Sequence, residues 1–468
     1  MEFLTKLIGG ANNLLWSYIL IALLIGLGLL FTIKTGFAQF RLFPEMLRVM
    51  TESAGGSGRN KKHISPFQAF CISAASRVGT GNLAGVAIAI VSGGPGAVFW
   101  MWLIALIGGA SSFVESTLAQ IYKVPDGKDN FRGGPAYYIE TALRQHWLAV
   151  VFVVIISFTY GFAFNAAQAN TIAGACEKAF GIKPLYIAIA LTIITGIVIF
   201  GGVRRIANIS GMVVPVMAGL YILCALFVVL TNITQIPKIF AMIFESAFGI
   251  KQFLSGSVGG AIMWGIKRGL FSNEAGMGSV PNAAATAHTS HPVKQGLIQT
   301  LGVFFDTILI CSATAFIVLT YVAEGHTELT ETGIQLTQTA LASHIPGAHI
   351  FVAFCIFLFA WSSVVGNYSY GEINLGFLTG KKIVLNVYRV LCLFFVLFGS
   401  LASMSTVWDL ADLFMAIMAI INLIVITMLS GTAVKALKDY MRQKKEGKEP
   451  VFTKNSIPEI SKDLVCWD

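Results

Sequence analysis

Apolar residues fill long runs with no polar face, and the segments between runs are short and carry most of the charge. Eleven such runs fall at about 14–34, 65–92, 97–121, 147–176, 184–201, 208–231, 257–285, 296–322, 348–376, 383–401 and 405–432. Each is long enough to cross a hydrocarbon core of roughly 30 Å, which takes about 20 helical residues. A transmembrane barrel would instead alternate apolar and polar positions over segments of about ten residues. The pattern therefore predicts an all-α polytopic membrane protein with about eleven transmembrane helices. The first run is too long for the apolar part of a secretory signal and no small-residue cleavage site follows it, so it is read as a span. Residues 133–146 and 235–253 mix apolar and charged positions at helical spacing and are expected as helices lying in the interface. Beyond Met441 the chain is hydrophilic and is expected to be loosely ordered.

Charge assigns sides to these spans. Of 468 residues, 56% are hydrophobic and only 12% charged, which excludes a soluble enzyme. Arg41, Arg48, Arg59, Lys61, Lys62, Lys123, Lys128, Arg132, Arg144, Arg204, Arg205, Lys294, Lys381, Lys382 and eight tail residues put 22 positive charges on one side. The other side has five: Lys6, Lys178, Lys183, Lys238 and Lys251. The positive-inside rule then places the N-terminus outside and the tail in the cytoplasm of a cell (inner or plasma) membrane. The net charge of +9 does not point to nucleic acid, because these residues sit in loops and a tail without interleaved aromatics. Seven scattered cysteines read as packing residues, and the HxxH of His288 and His291 as a solvated turn rather than a metal site.

Set against itself at an offset of 191 residues, the chain aligns Arg77, Asn82, Ala84 and Gly85 with Arg268, Asn273, Ala275 and Gly276. In the same register Phe113 falls on Phe304 and Glu115 on Asp306. Arginines, asparagines and acids are rare in membrane helices, so their coincidence weighs more than that of glycines. The second and seventh spans cross in opposite directions, which makes the copies an inverted repeat of five helices each. Residues 64–232 form the first repeat and 233–434 the second, which includes the 235–253 interfacial helix. The first span with its basic loop (1–63) is an addition, and 435–468 a hydrophilic tail. Inverted repeats with interrupted helices in matching places are the architecture of secondary transporters.

Both motif segments are poor continuous helix. Gly79 and Gly81 flank Thr80 in mid-span, and Gly269, Gly276 and Gly278 flank the second segment; each glycine costs about 1 kcal/mol against alanine in a helix interior. Unwinding frees backbone groups that must find partners away from water. Amides near Thr80 and Gly81, at the positive end of a half-helix, suit a carboxylate. Carbonyls near Ala75 and Val78 suit a small hard cation. Asn165, Gln168 and Asn170 in the fourth span serve either a substrate or interhelical hydrogen bonds. Trp361, Ser362 and Ser363 combine an aromatic wall with hydroxyls that either complete an oxygen shell or bond back to their own helix. Glu274 has three readings: partner of a substrate amine, proton or cation site, or polar helix junction. Arg77 is expected to approach Glu115, and Arg268 to approach Asp306, as gating or coupling pairs or as static buried ones.

The segments SAASRVGTGN (73–82), GAVFWMWLIALIG (96–108), FRGGPAYY (131–138) and GLFSNEAGMG (269–278) resemble the characteristic motifs of the alanine or glycine:cation symporter family. The resemblance covers about residues 13–435. It implies a LeuT-type 5+5 inverted repeat with one extra N-terminal helix, and sodium-coupled uptake of a small neutral amino acid without covalent chemistry. It further implies that Thr80, Gly81 and Asn82 hold the substrate carboxylate and that Gln168, Phe271, Phe357 and Trp361 line the pocket. Sodium, the co-transported ion, is implied at Ala75, Val78, Ser362 and Ser363, with no other cofactor; the partners are the substrate, sodium and the bilayer, and not nucleic acid. Some members of the family carry glutamine, and proton coupling is a further alternative; a bulky Trp361 favours alanine or glycine.

Overall fold

The computed structural model describes residues 2–54, 63–127, 130–201, 203–249 and 257–467. Arg59, Lys61, Lys62, Lys128 and Lys251 of the expected charge pattern lie outside the described residues, as do the side chains of Arg204 and Arg205.

Every expected apolar run is helical. Among the described residues, seven helices are long and apolar enough to cross a membrane: Lys6–Lys34, Ala97–Ile121, His146–Phe180, Pro292–Ala323, Ala348–Leu378, Lys382–Leu401 and Met404–Lys445. Two bent pairs raise the number to nine. One is Pro66–Arg77 with Gly81–Gly93, bent by 47°, which is the expected second span with its break. The other joins Pro215–Thr231 to Ile236–Phe248 through a 77° bend, so the sixth span runs into the expected interfacial helix. The remaining two expected spans are Pro184–Ile199, short for a crossing, and Ser257–Asn273, which is separated from Val280–Ala285 by an unwound stretch. We number spans 1 to 11 in chain order on this correspondence.

Spans 3 and 8 pack against each other at the centre, and the register of the repeat is visible there. Thr300 Oγ1 donates to the Gly109 carbonyl at 3.1 Å, and these two residues are 191 positions apart. Small residues make the approach possible: a Cβ on Gly109 would stand 3.3 Å from both Phe304 and Thr300.

Two expectations for the surface segments are overturned. The first half of 133–146 does not lie in an interface, although residues 144–146 are exposed: after a two-stranded hairpin, β1 (Val124–Asp126) and β2 (Asn130–Arg132), the run Pro135–Tyr138 turns inward and Tyr138 is fully buried. Its hydroxyl donates to Asn422 Oδ1 on span 11 at 2.5 Å, so aromatic rings that looked interfacial in sequence are core.

The tail is not loose either. Span 11 continues as one helix to Lys445, and the chain beyond folds back across the end of the bundle. Phe452, Ile457, Leu464 and Trp467 are buried. Trp467 Nε1 donates to the Gln120 and Ile121 carbonyls at the end of span 3, and Phe452 N–H donates to the Ser290 carbonyl at 2.9 Å. Four apolar anchors spaced through a polar segment suffice to hold it, which average hydrophilicity conceals. The same dock buries His291 completely: its Nδ1 accepts from the Val293 amide and its Nε2 lies 3.4 Å from Asp439. His291 of the expected solvated turn is therefore a buried helix cap, whereas His288 is exposed, its ring tilted against that of His63 with centroids 4.7 Å apart.

Candidate substrate and cation site

The first break is made by Val78 and Gly79, which leave helical geometry after Arg77, and the helix resumes at Thr80. Val78 is extended, with φ −78° and ψ 97°. Gly79 N–H donates to Asn82 Oδ1 at 2.9 Å, and Thr80 N–H donates to Gln168 Oε1 at 3.0 Å. In a continuous helix those two amides would serve the Ala75 and Ser76 carbonyls. Both carbonyls have lost their helical donors, and that of Ala75 is, with Val78, one of the two implied for sodium. Ser363 Oγ stands 3.3 Å from the Val78 carbonyl oxygen and 3.0 Å from that of Phe359. Ser362 turns away and donates to the Phe359 carbonyl of its own helix at 2.8 Å. Of the four residues implied for sodium, Val78 and Ser363 are joined directly, with Ala75 one turn before Val78.

Glycine is required here by contact. A Cβ on Gly79 would overlap Ser363 Oγ and come within 2.8 Å of Gln168 Oε1; one on Gly81 would meet the Phe271 ring at 3.0 Å. Phe271 is itself clamped between Phe164 and Trp408, with ring centroids 4.6 and 4.7 Å away. Trp408 is also in the floor of a cavity of about 540 Å³ lined by Ala84, Asn170, Glu177 and Gln335. Aromatic rings thus separate the break from that vestibule. Trp361 is buried and Phe357, one turn earlier on span 9, is half-buried. No hydrogen bond or ring contact joins either to the break among the described residues.

The second break is more sharply bent, with positive φ at Glu274 (55°), Gly276 (84°) and Gly278 (84°). Its freed amides are capped by a carboxylate: Gly276 and Gly278 N–H donate to the two Glu115 oxygens at 3.0 and 3.1 Å, and Asn422 Nδ2 adds a third bond at 2.8 Å. Asp306, at the matching place in the other repeat, serves the first break. It accepts from Asn82 Nδ2 at 2.7 Å, Ser272 Oγ at 2.5 Å and Thr307 Oγ1 at 3.0 Å. Each repeat therefore contributes one buried acid that stabilises the broken helix of the other.

That exchange replaces the ion pairs expected from sequence. Arg77 does not pair with Glu115: its guanidinium donates to the Gln299 carbonyl and to Gln299 Oε1, both at 3.3 Å. Arg268 does not reach Asp306 but pairs with Asp412 on span 11 at 2.5 Å, a carboxylate shared with Lys267 at 2.7 Å. Glu115 was free to turn the other way because two backbone amides and an asparagine satisfy it as fully as a guanidinium would. The three amide residues of span 4 also separate. Gln168 is at the break, Asn165 bonds to Asn367 on span 9, and Asn170 ties to the Gly399 and Ala402 carbonyls as interhelical glue.

Asp412, Asn422 and Asn367 went unnoticed in the sequence. All three sit in long apolar runs, where an acid or amide is itself a signal. No group of three or more His, Cys, Asp or Glu side chains forms a metal cluster among the described residues, and the cysteines are free thiols.

Comparison with known proteins agrees with this architecture. The amino-acid carrier protein AlsT of Bacillus subtilis is 56% identical over all of this chain and 98% of its own. The probable sodium/glutamine symporter GlnT of the same organism is 52% identical, covering 100% of this chain and 96% of its own. Among solved structures, MhsT in complex with L-phenylalanine superposes with a TM-score of 0.57 at 14% identity, over 86% of this chain and 93% of that one. That likeness shows the fold, a LeuT-type inverted repeat. Residues 1–454 match the sodium:alanine symporter family, and the chain belongs to it.

Proposed function

We propose that this protein carries a small neutral amino acid, alanine or glycine, into the cytoplasm together with sodium, by alternating access across the cell membrane. The observation that carries the reading is the first break. The Val78 carbonyl and the Ser363 hydroxyl stand 3.3 Å apart, and with the Ala75 carbonyl they would make one side of an oxygen shell of the kind a small cation takes, with Ser362 able to join by rotating from its own helix. On the other side, the Thr80 and Gly81 amides and Asn82 face a substrate carboxylate. Binding then exchanges the Gln168–Thr80 bond for a carboxylate–amide bond, which is stronger because it is charge-assisted.

Phe271 against Gly81 keeps the side-chain space small, with Phe357 and Trp361 as further walls. Sodium draws Val78 towards span 9 and so orders the amides that take the substrate; each ligand favours the other, as linkage requires. The membrane potential contributes about 2.3 kcal/mol per charge for each 100 mV. The halves that rock are the repeats 64–232 and 233–434, with 1–63 and 435–468 as additions. The N-terminus is outside and the tail cytoplasmic, a reading supported by the 22 to five distribution of positive charge.

Glutamine is the second reading, favoured by 52% identity to a probable sodium/glutamine symporter. Uptake of labelled alanine, glycine and glutamine into proteoliposomes, with sodium replaced by choline and pH imposed separately, tests both. Alanine or glycine uptake that stops in choline is expected. Sodium-dependent glutamine uptake alone transfers the assignment, and no sodium-dependent uptake of any of the three refutes it.

A further inference from the structure

Three buried acids line the two breaks, and their hydrogen bonds differ in direction. Glu115 receives two backbone N–H groups and an amide N–H. Asp306 receives an amide N–H and two hydroxyls. Both are acceptors only, as ionised carboxylates are. Glu274 is different because it ends a chain of bonds whose direction is set at a backbone carbonyl.

The chain starts at Gly161, whose carbonyl can only accept. Asn165 Nδ2 donates to it at 3.2 Å, which turns Asn165 Oδ1 towards Asn367. Asn367 Nδ2 donates to that oxygen at 3.1 Å, which turns Asn367 Oδ1 towards Ser76. Ser76 Oγ lies 2.7 Å from Asn367 Oδ1 and 2.9 Å from Glu274 Oε1. A serine hydroxyl has one proton and Asn367 Oδ1 has none, so the Ser76 proton goes to Asn367. The remaining 2.9 Å contact, between Ser76 Oγ and Glu274 Oε1, is within O–H···O range and needs a proton of its own. Only Glu274 can supply it. The other carboxyl oxygen, Oε2, accepts from Ser279 Oγ at 2.7 Å.

We infer that Glu274 is a proton-binding site, occupied in this conformation, through which the second break donates a hydrogen bond to the first. Its setting fits a neutral acid. Glu274 is fully buried and no Lys, Arg or His lies within ion-pair distance of it among the described residues. The ionisable groups around it are Arg77 from span 2, which is turned to Gln299, Glu115 from span 3, which caps the other side of the break, and the hydroxyls of Tyr160 and Tyr370 from spans 4 and 9. Ser76 adjoins Ala75 and Arg77 in the half-helix that ends at the cation ligands. A movement that draws this half-helix away removes the acceptor of the Glu274 proton, so proton occupancy and the state of the first break are linked. The inference goes beyond sodium coupling and does not depend on which amino acid is carried.

Infrared spectroscopy of the full-length protein in proteoliposomes tests it directly. The parent minus E274Q difference spectrum at neutral pH is expected to show one carboxylic-acid C=O band that shifts in D₂O. Gln keeps a donor for Ser76 and an acceptor for Ser279. Ser76→Ala, which removes only the acceptor, is expected to move that band rather than abolish it, and serves if E274Q does not fold. Amino-acid uptake by the parent should fall at alkaline pH, and E274Q should lose that dependence. A difference spectrum containing carboxylate bands and no acid band overturns the inference, as does an alkaline fall that E274Q retains. Absence of sodium-dependent uptake in the parent would instead refute the proposed function and leave the infrared result standing.

Discussion

At the scale of single residues, the site depends on atoms that are missing as much as on those present. Gly79→Ala would drive a methyl group into Ser363 Oγ and Gln168 Oε1, the two groups that join the break to spans 9 and 4. Uptake should fall at least about tenfold, the effect of about 1.4 kcal/mol, measured in proteoliposomes with sodium present. Asp412→Asn would leave Arg268 and Lys267 buried without their counter-ion. Breaking a buried pair in this way costs about 3–5 kcal/mol, which a lowered thermal midpoint in detergent will report. The candidate residues Thr80, Asn82 and Gln168 were legible in the sequence because amides and small polar residues are conspicuous in an apolar run. Their partners were not, since which oxygen faces which amide depends on how helices remote in sequence cross.

The element that matters most is the broken helix, and the two breaks are stabilised by different chemistry. The second is capped by a permanent protein carboxylate, Glu115, whereas the first uses the neutral amides of Asn82 and Gln168. A carboxylate cap is held firmly and an amide cap is displaced more easily by an incoming anion, so the first break is the one suited to a passing substrate. Glu115→Ala should therefore act on stability before transport. It leaves the Gly276 and Gly278 amides unsatisfied, at about 1–3 kcal/mol each, and Glu115→Gln should recover part of that in the same thermal assay. If Glu115→Ala unfolds at the parental temperature, the cap is not what holds the break. Helical runs and their interruptions were readable because composition and glycine placement act locally. The exchange of Glu115 and Asp306 between repeats was not, although their coincidence at one offset marked them as a pair.

On the scale of the whole molecule, the folded tail joins one end of the bundle into a single cap. Trp467 covers the end of span 3 and lies over Lys123, whose ammonium donates to Gln120 Oε1 and the Ala287 carbonyl. Burial pushes the Lys123 ammonium down to about 7, with a small opposing pull from nearby Cys466. With the tail undocked and water admitted, Lys123 would hold its proton to a higher pH, towards the ordinary value of 10.5. Between these values the undocked state binds more protons, so docking strengthens as pH rises through that window, and the full penalty applies below about 7. Trypsin cleavage at Lys454 and Lys462, normalised to a free peptide of the same sequence, should slow as pH rises from about 7 towards 10. Lys123→Met should remove the trend; cleavage that does not vary with pH in the parent counts against the dock.

By itself the sequence determined the class, the places of the apolar runs, the inverted repeat and the position of both breaks. Those features follow from local hydrophobicity, from the steric permissiveness of glycine and from the scarcity of charge in an apolar medium, none of which needs a partner. Tertiary structure alone decided that Arg77 meets Gln299 and Arg268 meets Asp412, that Tyr138 and the tail are core, and that Glu274 points at Ser76. Each of those is a choice among several chemically adequate partners, and only the crossing of the helices selects one.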